Sequence, residues 1–372
     1  MHICKSKNNI LQLLILGCGG FIGSHLLDRL FDNSESTKLG NFQVSGWDID
    51  NKKISRHLAR KNLVFHHGEF HSPESFLKLE EEIKKADIVI NLAAICNPSH
   101  YNTRPLAVIE SNFLDSYQIV QLCTKYKSWL IHFSTSEVYG RTLDSYIQGT
   151  DYDDPDLYEL DEDTTPLIMG PIQNQRWSYA CAKQLLERFI YGHHKEKGLP
   201  FTIIRPLNFF GPRMDFIPGR DGEGVPRVLA CFMTALIDNK PLQLVDGGKA
   251  RRTIVSIRDA IRAIISVLER PGQATNQIFN IGNRDNEVTM IELAEMMREI
   301  YARVSGNSKH LSHPIENISS LKFYGEGYED CDRRMPKIDK ARDLLGWVPN
   351  ISLQETLEET IAYYYNLYGK KD

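Results

Sequence analysis

The chain has 372 residues, 42% of them hydrophobic, and a formal net charge of −4 at pH 7. A chain of this length can bury a large core, either as one domain or as two lobes. Its slightly acidic balance lacks the basic excess that nucleic-acid binders and anionic-membrane binders usually show, so neither partner is expected.

The seven cysteines are scattered along the chain, and no two of them have CxxC spacing. We therefore expect neither a disulfide framework nor a metal site, and the pattern fits a reducing, cytoplasmic compartment. The apolar run Ile10–Leu16 follows Lys5 and Lys7 as in a short signal sequence, but it leads directly into a glycine-rich turn that needs a buried strand. No apolar run approaches the ~20 residues of a membrane span.

Strand-like and helix-like patterns alternate through the first half of the chain. Buried parallel strands are predicted at 11–16, 42–47, 63–66, 87–93, 129–134 and 201–205. Helices are predicted at 21–31, 75–85, 105–126, 177–195, 289–304 and 352–367, and loops at 141–175 and 212–228. The alternation predicts an α/β fold with a Rossmann-type, doubly wound parallel sheet.

Directly after the first predicted strand comes a glycine-rich run, Gly17-Cys18-Gly19-Gly20-Phe21-Ile22-Gly23. Its spaced glycines permit a tight turn, close approach of a pyrophosphate and close packing of a helix on the strand. Asp48 ends the second strand, where a carboxylate can hold a ribose 2′-hydroxyl and would repel a 2′-phosphate. The pattern predicts NAD rather than NADP; the alternative is a tight turn beside a surface carboxylate. Ala93 ends the fourth strand and either lies along the dinucleotide or packs in the core.

Tyr179 and Lys183 have the i, i+4 spacing that places two side chains on one face of a helix. An ammonium beside a phenol favours the phenolate, which predicts that Tyr179 acts as a base near neutral pH. Thr135, Ser136 and Glu137 follow the fifth predicted strand. The carboxylate of Glu137 indicates a second proton-transfer step; the alternative is a carboxylate that caps nearby backbone.

Further candidates stand in predicted loops and at a helix start. Cys96 follows the fourth strand, where a buried and inert thiol is the commoner state. Asn208 follows the sixth strand and either contacts a ligand or sets a turn. Arg227 and Lys249 are candidates for binding a diphosphate, against the alternative of surface cations. Arg334 can form a two-point pair with a carboxylate.

These motifs resemble those of the extended short-chain dehydrogenase/reductase family over essentially the whole chain. The shared motifs are Gly17-x-x-Gly20-x-x-Gly23, Thr135, Tyr179-x-x-x-Lys183, Asn280-Ile281-Gly282-Asn283 and Leu345-Gly346-Trp347-x-Pro349. Within the family, Ser136-Glu137-Val138-Tyr139-Gly140 and Arg334 resemble the UDP-glucuronate decarboxylases. Long runs such as Gln175–Leu185 and Gly211–Gly219 are similar to the plant UDP-apiose/UDP-xylose synthases.

The resemblance implies a cytosolic, NAD-dependent homodimer that acts on UDP-glucuronate or a related UDP-sugar, with helices 105–126 and 177–195 at the interface. It also implies two lobes. Residues 1–207, joined again by 250–282, form the NAD-binding lobe, and a smaller C-terminal lobe of residues 208–249 and 283–372 binds the UDP-sugar.

The resemblance further implies the roles of the central residues. Tyr179, aided by Lys183 and Thr135, takes the proton of the sugar 4-hydroxyl while hydride passes to NAD, and the 4-keto sugar then loses CO2. Arg334 orients the departing carboxylate, and Glu137 with its neighbour Ser136 manages the proton at C5.

Other roles follow from the same resemblance. Cys96 is the acid/base candidate for ring contraction to apiose, and Arg227, Lys249 and Tyr328 hold the uridine diphosphate. Apiose-forming relatives carry cysteine where this chain has Ser136, so the resemblance leaves ring contraction open while it implies decarboxylation.

Three alternatives stay open on the sequence. One is an enzyme that releases UDP-4-keto-pentose together with NADH. Another is a UDP-sugar 4-epimerase or 4,6-dehydratase on the same scaffold, which does not need Arg334. The remote alternative is a non-catalytic dinucleotide-binding regulator, although such proteins often lose the Tyr or Lys that this chain keeps.

Overall fold

The computed structural model describes residues 10–32, 38–70, 72–146, 154–222, 224–326, 329, 331 and 333–369. In chain order, its strands are β1 (Leu11–Leu16), β2 (Phe42–Asp48), β3 (Leu63–His67), β4 (Ile88–Asn91), β5 (Trp129–Phe133), β6 (Glu159–Leu160), β7 (Phe201–Pro206), β8 (Phe209–Phe210), β9 (Leu242–Val245), β10 (Arg251–Thr253), β11 (Val255–Ser256), β12 (Gln277–Ile281), β13 (Glu287–Thr289), β14 (Ile315–Ile318) and β15 (Met335–Pro336). Its helices are α1 (Phe21–Phe31), α2 (Pro73–Lys85), α3 (Ser99–Thr103), α4 (Pro105–Ile109), α5 (Asp115–Tyr126), α6 (Pro155–Tyr158), α7 (Ser178–Lys197), α8 (Val228–Asp238), α9 (Ile257–Glu269), α10 (Pro271–Ala274), α11 (Met290–Ser305), α12 (Ser320–Tyr324), α13 (Asp339–Leu345) and α14 (Leu353–Tyr368).

Seven strands form one parallel sheet in the order β12-β7-β5-β4-β1-β2-β3. All six strands predicted from apolar runs lie in this sheet, so the predicted doubly wound α/β fold is confirmed. The strand order reverses between β1 and β4, and the carboxyl ends of these two strands border the crevice where ligands bind in such folds.

Helices cover both faces of the sheet. Leu13 of β1 packs into a core with residues of α1 and α9, whereas its neighbour Leu14 packs into the opposite core with α2, α5 and α7. Because successive side chains of a strand point to opposite faces, a strand covered on both sides is apolar at every position. This double burial explains why the strands could be predicted as continuous apolar runs.

One predicted helix contains a π-helical turn. Residues 105–126 form α4, a wide π-helical turn over Glu110–Leu114, and then α5. The side-chain amide of Asn112 donates hydrogen bonds to the carbonyls of Val108 (2.8 Å) and Ile95 (3.0 Å). Residues 105–126 are helical throughout, so the predicted helix is confirmed, and the hydrogen bonds of the Asn112 amide lie at the π-helical turn that the sequence pattern did not predict.

The predicted loop 141–175 also contains regular structure. It holds the short helix α6 and the strand β6, which pairs in parallel with β15 near the other end of the chain. A two-residue strand has too short a pattern to be read from sequence, and here a distant partner stabilises it.

A third core lies outside the two faces of the sheet. It is built from residues of α8, α11, α14 and β9, such as Leu229, Leu293 and Leu357. The C-terminal segment serves two cores, because Leu345 of α13 and Trp347 pack with the sheet helices instead. The lobe boundaries drawn from sequence stay a prediction. Among the described helices, none combines the length and the apolar character of a membrane span.

Candidate active site

The glycine-rich turn lies at the carboxyl end of β1. Gly17 has a φ of +85°, and a Cβ there would lie 2.9 Å from the backbone of Leu92 and Ala93. A Cβ at Gly23 would lie 2.4 Å from the Gly17 carbonyl oxygen, so α1 approaches the turn this closely only because both positions lack side chains. Among the described residues, no side chain caps the N-terminus of α1 at Gly20. Its first backbone N–H groups therefore suit an anion such as a pyrophosphate.

Asp48 borders this turn at the end of β2. Its carboxylate accepts hydrogen bonds from the backbone N–H groups of Gly19 (2.8 Å) and Asp50 (3.1 Å). Burial raises the pKa of Asp48 even though these donors oppose the shift. The carboxylate has further lone pairs for a ribose hydroxyl. The residues present thus fit a dinucleotide, while Phe21 and Ile22 at the start of α1 pack against the adjoining core.

A 3₁₀ turn, Ser136–Tyr139, follows β5 and contains Ser136 and Glu137, and Thr135 caps its amino end. Thr135 Oγ1 accepts a hydrogen bond from the Glu137 backbone N–H (3.1 Å), and its hydroxyl is hydrogen-bonded with the phenol of Tyr179. Lys183, one helical turn further along α7, donates to the Phe133 carbonyl at 2.9 Å. The strand end and α7 thus bring together the residues that were predicted to transfer protons.

Burial governs the ionisation of this pair. It raises the pKa of Tyr179 well above its usual value, and the neighbouring Cys96 and Glu137 raise it further. Burial also lowers the pKa of Lys183 to about 8. The protein's own groups therefore favour the neutral phenol, contrary to the expectation from the Tyr–Lys spacing, because desolvation disfavours the charged form of each group.

Two residues that the sequence analysis missed complete this group. Arg176 donates hydrogen bonds to both carboxylate oxygens of Glu137, at 2.5 and 3.0 Å. Its guanidinium lies 5.6 Å from the ring centre of Tyr101, and that ring stacks on Tyr179 with centroids 5.1 Å apart and an interplanar angle of 8°. Arg176 precedes Tyr179 by three residues, a spacing that could have indicated a shared face. Tyr101 offered no comparable signal.

Cys96 is exposed, so the prediction of a buried and inert thiol is wrong. The reason is that β4 ends at Asn91, whose side-chain oxygen accepts a hydrogen bond from the Ala93 N–H at 3.3 Å. The chain beyond this point runs as a loop above the sheet rather than as a buried strand. Cys96 interacts electrostatically with both Tyr179 and Lys183, which places its thiol beside the proton-transfer pair.

Arg227 reaches the same group from the start of α8. Its backbone N–H and Nε donate to one carboxylate oxygen of Asp215, at 2.9 and 3.2 Å, and Nη2 donates to the Met214 carbonyl at 2.7 Å. The side chain is 34% exposed, and its charge lowers the pKa of Tyr179. Asp215 therefore holds a partly exposed guanidinium within electrostatic reach of the phenol.

Arg334 is buried close to the turn that carries Glu137. Only 6% of the residue is exposed, and Nη2 donates to the Gly140 carbonyl at 3.0 Å. Within the described parts of the chain, its buried Nε has no hydrogen-bond partner. Because a buried donor left unpaired is costly, this guanidinium suits a carboxylate ligand.

The remaining predicted residues are less central. The Asn208 amide donates to the Thr253 carbonyl at 2.9 Å and its φ is +44°, so this residue sets the turn after β7. Lys249 is exposed on the turn after β9. Ser136 is buried beside Glu137. Tyr328 lies outside the described residues.

The segment that carries the glycine turn, Asp48 and the Thr–Tyr–Lys group matches a known protein family. Residues 13–282 match the NAD dependent epimerase/dehydratase family. The chain belongs to this family. Membership confirms the NAD cofactor and the predicted resemblance to extended short-chain dehydrogenases/reductases.

Two relatives of the family match almost the whole chain. UDP-D-apiose/UDP-D-xylose synthase 1 of Arabidopsis thaliana is 48% identical over 368 residues, which cover 97% of this chain and 92% of the relative. UDP-D-apiose/UDP-D-xylose synthase of Oryza sativa subsp. japonica is 49% identical over 367 residues, covering 96% and 90% of the two chains.

Solved structures of the family share the fold. The PbgP3 protein from Burkholderia pseudomallei is 31% identical and superposes with a TM-score of 0.79 over 96% of this chain and 97% of that chain. UDP-glucuronic acid 4-epimerase from Bacillus cereus, in complex with UDP-glucuronic acid and NAD, is 22% identical, with a TM-score of 0.74 over 96% and 100% of the chains.

Proposed function

We propose that this chain is an NAD-dependent enzyme that decarboxylates UDP-glucuronate through a 4-keto intermediate and gives UDP-apiose and/or UDP-xylose. The observation that carries the proposal is the Arg176–Glu137 pair beside the Tyr179 phenol, which adds a second proton-transfer group to the Thr–Tyr–Lys set. The relatives named UDP-D-apiose/UDP-D-xylose synthase, at 48% and 49% identity, support the substrate.

In the first step, Tyr179 takes the proton of the sugar 4-hydroxyl. NAD, when bound, supplies the hydride acceptor for the sugar carbon. Thr135 and the charge of Arg227 lower the pKa of the phenol, and Lys183, one helical turn further along α7, is proposed to take part in the proton transfer. Proton transfer by a positioned side chain contributes roughly 10²–10⁴ to a rate.

In the second step, the 4-keto group makes the sugar carboxylate a β-keto acid, which loses CO2 because the resulting enolate delocalises the charge. Arg334 orients the carboxylate with the Nε–H that has no other partner in the described chain. Glu137, held by Arg176 and adjoined by Ser136, delivers or removes the proton at C5.

The UDP moiety is bound at the other side of the phenol. Arg227, fixed by Asp215, contributes a cation for the diphosphate, and Lys249 and Tyr328 are proposed to join it. Asn208, whose amide holds the turn after β7, is proposed to contact the sugar nucleotide as well. Cys96, exposed beside Tyr179, is the proposed acid/base for ring contraction.

We propose a homodimer, built on the face formed by α4, the π-helical turn, α5 and α7. Leu106, Ile109, Leu114 and Leu185 of this face expose 73%, 37%, 51% and 51% of their surface. Exposed apolar side chains gathered on neighbouring helices are typical of an association surface. The free thiols of the described chain support a reducing, cytoplasmic location.

A second candidate is favoured by Ser136, which stands where apiose formers carry cysteine. In that case the enzyme releases UDP-4-keto-pentose with NADH. NMR of the products formed from UDP-glucuronate and NAD, with NADH absorbance followed in parallel, distinguishes the two. UDP-apiose or UDP-xylose without net NADH supports the proposal; stoichiometric NADH supports the second candidate; conversion of UDP-glucose alone contradicts both.

A further inference from the structure

A buried polar network lies beneath the active site, with Arg205 of β7 at its centre. Arg205 is 3% exposed, and its Nε and Nη2 donate to the two carboxylate oxygens of Glu187 at 3.0 and 2.6 Å. Its third nitrogen, Nη1, donates to the hydroxyl of Tyr139 at 2.8 Å and to the Glu162 carbonyl at 3.3 Å. One guanidinium thus ties together α7, the 3₁₀ turn after β5 and the segment around β6.

Tyr139 extends the network to a second strand. Its hydroxyl donates to the side-chain oxygen of Asn280 in β12 at 2.8 Å, and its ring lies 4.7 Å from the Arg205 guanidinium. The Asn280 amide donates in turn to the carbonyls of Leu160 at 2.9 Å and Lys337 at 3.3 Å. The Tyr139 hydroxyl thus joins the side chains of Arg205 and Asn280, and Glu162 forms a second connection, because its carboxylate accepts a hydrogen bond from the Asn280 backbone N–H at 2.8 Å.

Each anchored segment carries one group of the reaction. Glu187 stands one helical turn after Lys183 on α7, and Tyr139 ends the 3₁₀ turn that holds Glu137. Lys337 follows β15, three residues after Arg334. The network residues are buried and serve the reaction through these neighbours.

Stability alone is a weak reason for such a network. Burying an ion pair costs desolvation that its attraction barely offsets, and apolar replacements are often as stable. A guanidinium fork that makes four hydrogen bonds does, however, fix its three partners in one geometry. We propose that Arg205 and Tyr139 are positioning residues. They hold the Tyr179–Lys183 pair, Glu137 and Arg334 in fixed positions relative to one another, so that oxidation and decarboxylation act on the same bound sugar.

This inference rests on the proposed function and predicts a particular defect. The oxidising pair and the decarboxylating group stand on different segments, so breaking the link between them shifts one group relative to the other. A misplacement of about 1 Å can cost on the order of 10²-fold in rate. The steps then lose their coordination, and the 4-keto sugar escapes before hydride returns to it. Any that still carries the carboxylate loses CO2 in solution as a β-keto acid, so the escaped sugar is recovered as UDP-4-keto-pentose and the hydride as NADH.

The test uses two variants that each remove one buried hydroxyl. Tyr139→Phe keeps the ring and removes the hydroxyl that joins Arg205 to Asn280. The control is Thr202→Val at the amino end of the same strand β7. The Thr202 hydroxyl accepts a hydrogen bond from Trp129 Nε1 at 3.1 Å and donates to the Ala274 carbonyl at 2.6 Å, so it also makes two buried bonds. Both full-length variants and the wild type are incubated with UDP-glucuronate and NAD, with products, NADH and melting temperature measured.

We expect Tyr139→Phe to lower kcat at least tenfold and to raise the share of UDP-4-keto-pentose released with NADH. Thr202→Val should lower the melting temperature while its product ratio stays that of the wild type. An unchanged kcat and product ratio in Tyr139→Phe, or an equal change in both variants, overturns the inference. If Tyr139→Phe does not fold, Arg205→Lys replaces it, because an ammonium lacks the fork that reaches Glu187 and Tyr139 together. A wild type that makes no pentose overturns the proposed function and this inference with it.

Discussion

The guanidinium of Arg176 binds both carboxylate oxygens of Glu137, with nitrogen–oxygen distances of 2.5 and 3.0 Å. The two side chains are 6% and 19% exposed, so the pair is largely withdrawn from water. Such a two-point contact fixes the direction of the carboxylate as well as its position. It places a proton-transfer group next to the Tyr179 phenol, whose pKa the Glu137 charge raises.

The first prediction concerns Glu137 itself. Glu137→Gln keeps the shape of the side chain but cannot exchange a proton, so kcat should fall by roughly 10²–10⁴. Binding of NAD, measured by titration calorimetry, should stay within a factor of two of wild type, since Glu137 follows β5 whereas the glycine turn follows β1. Wild-type turnover in Glu137→Gln would contradict the assigned role.

A second prediction tests the two-point contact. Arg176→Lys keeps the positive charge but loses the fork that holds both oxygens of Glu137, so kcat should fall about ten- to a hundredfold, in keeping with a misplacement on the order of 1 Å. Arg188→Lys is the matched control, because Arg188 is exposed on α7, the helix that begins two residues after Arg176. Steady-state kinetics should separate the two, and equal activity of both variants would show that the contact is dispensable.

The third prediction is a pH dependence. Burial lowers the pKa of Lys183 to about 8 and raises that of Tyr179, while Cys96 and Glu187 raise the pKa of Lys183. One proton must leave this pair before the phenol oxygen can accept the sugar proton. Below about pH 8 the pair keeps both protons, so kcat/KM should rise with pH up to that value and then level off.

A variant of Lys183 tests which group causes the rise of kcat/KM with pH. In Lys183→Met only Tyr179 can lose a proton, and its pKa lies well above the usual range. The rise in kcat/KM should therefore move to higher pH, and activity at neutral pH should fall. If kcat/KM of this variant still rises over the same pH range as in the wild type, the rise belongs to another group.

A fourth prediction compares two glycines. Gly17→Ala forces an L-residue to a φ of +85° and puts a Cβ 2.9 Å from the backbone of Ala93, so NAD binding should be lost or weakened at least tenfold. At Gly192, inside α7, an added Cβ meets nothing within 4 Å. Gly192→Ala should therefore raise stability by about 0.5–1 kcal/mol and leave NAD binding intact. Calorimetric titration and thermal melting measure both, and equal NAD affinity in the two variants would refute the assignment of the turn.

The fifth prediction concerns assembly. Leu106, 73% exposed on α4, stands on the proposed dimer face, whereas Leu77, 63% exposed, stands on α2 outside it. Leu106→Glu should yield monomers because it would bury an unpaired charge at the interface, and Leu77→Glu should remain dimeric. Light scattering during gel filtration reads the mass directly. A monomeric wild type at micromolar concentration would contradict the proposal.

The fold was predictable where a local pattern determines the structure. Strand β1 could be read from sequence because Leu13 and Leu14 face different cores and both must be apolar. The wide turn at Asn112 could not, since it depends on a hydrogen bond to Ile95, 17 residues earlier in the chain. The short strands β6 and β15 pair with each other although they lie far apart in the sequence.

The active site likewise contains some features that the sequence predicts and others that it does not. Tyr179 and Lys183 could be predicted because helical spacing alone places them on one face. The contact between Arg176 and Glu137 joins residues 39 positions apart, and a residue-type pattern carries no record of it. The exposure of Cys96 depends on where β4 ends, which the Asn91 side chain decides. Desolvation of Tyr179 likewise follows from packing, which is why the sign of its pKa shift was not predicted.

The most direct test of the central claim follows the carboxyl carbon of the substrate. UDP-glucuronate labelled with ¹³C at that carbon is mixed with the enzyme and NAD, and the label is followed by NMR. We expect labelled CO2 in amounts equal to the UDP-pentose formed. Label that stays on the sugar, with UDP-galacturonate accumulating, would show a 4-epimerase and contradict decarboxylation.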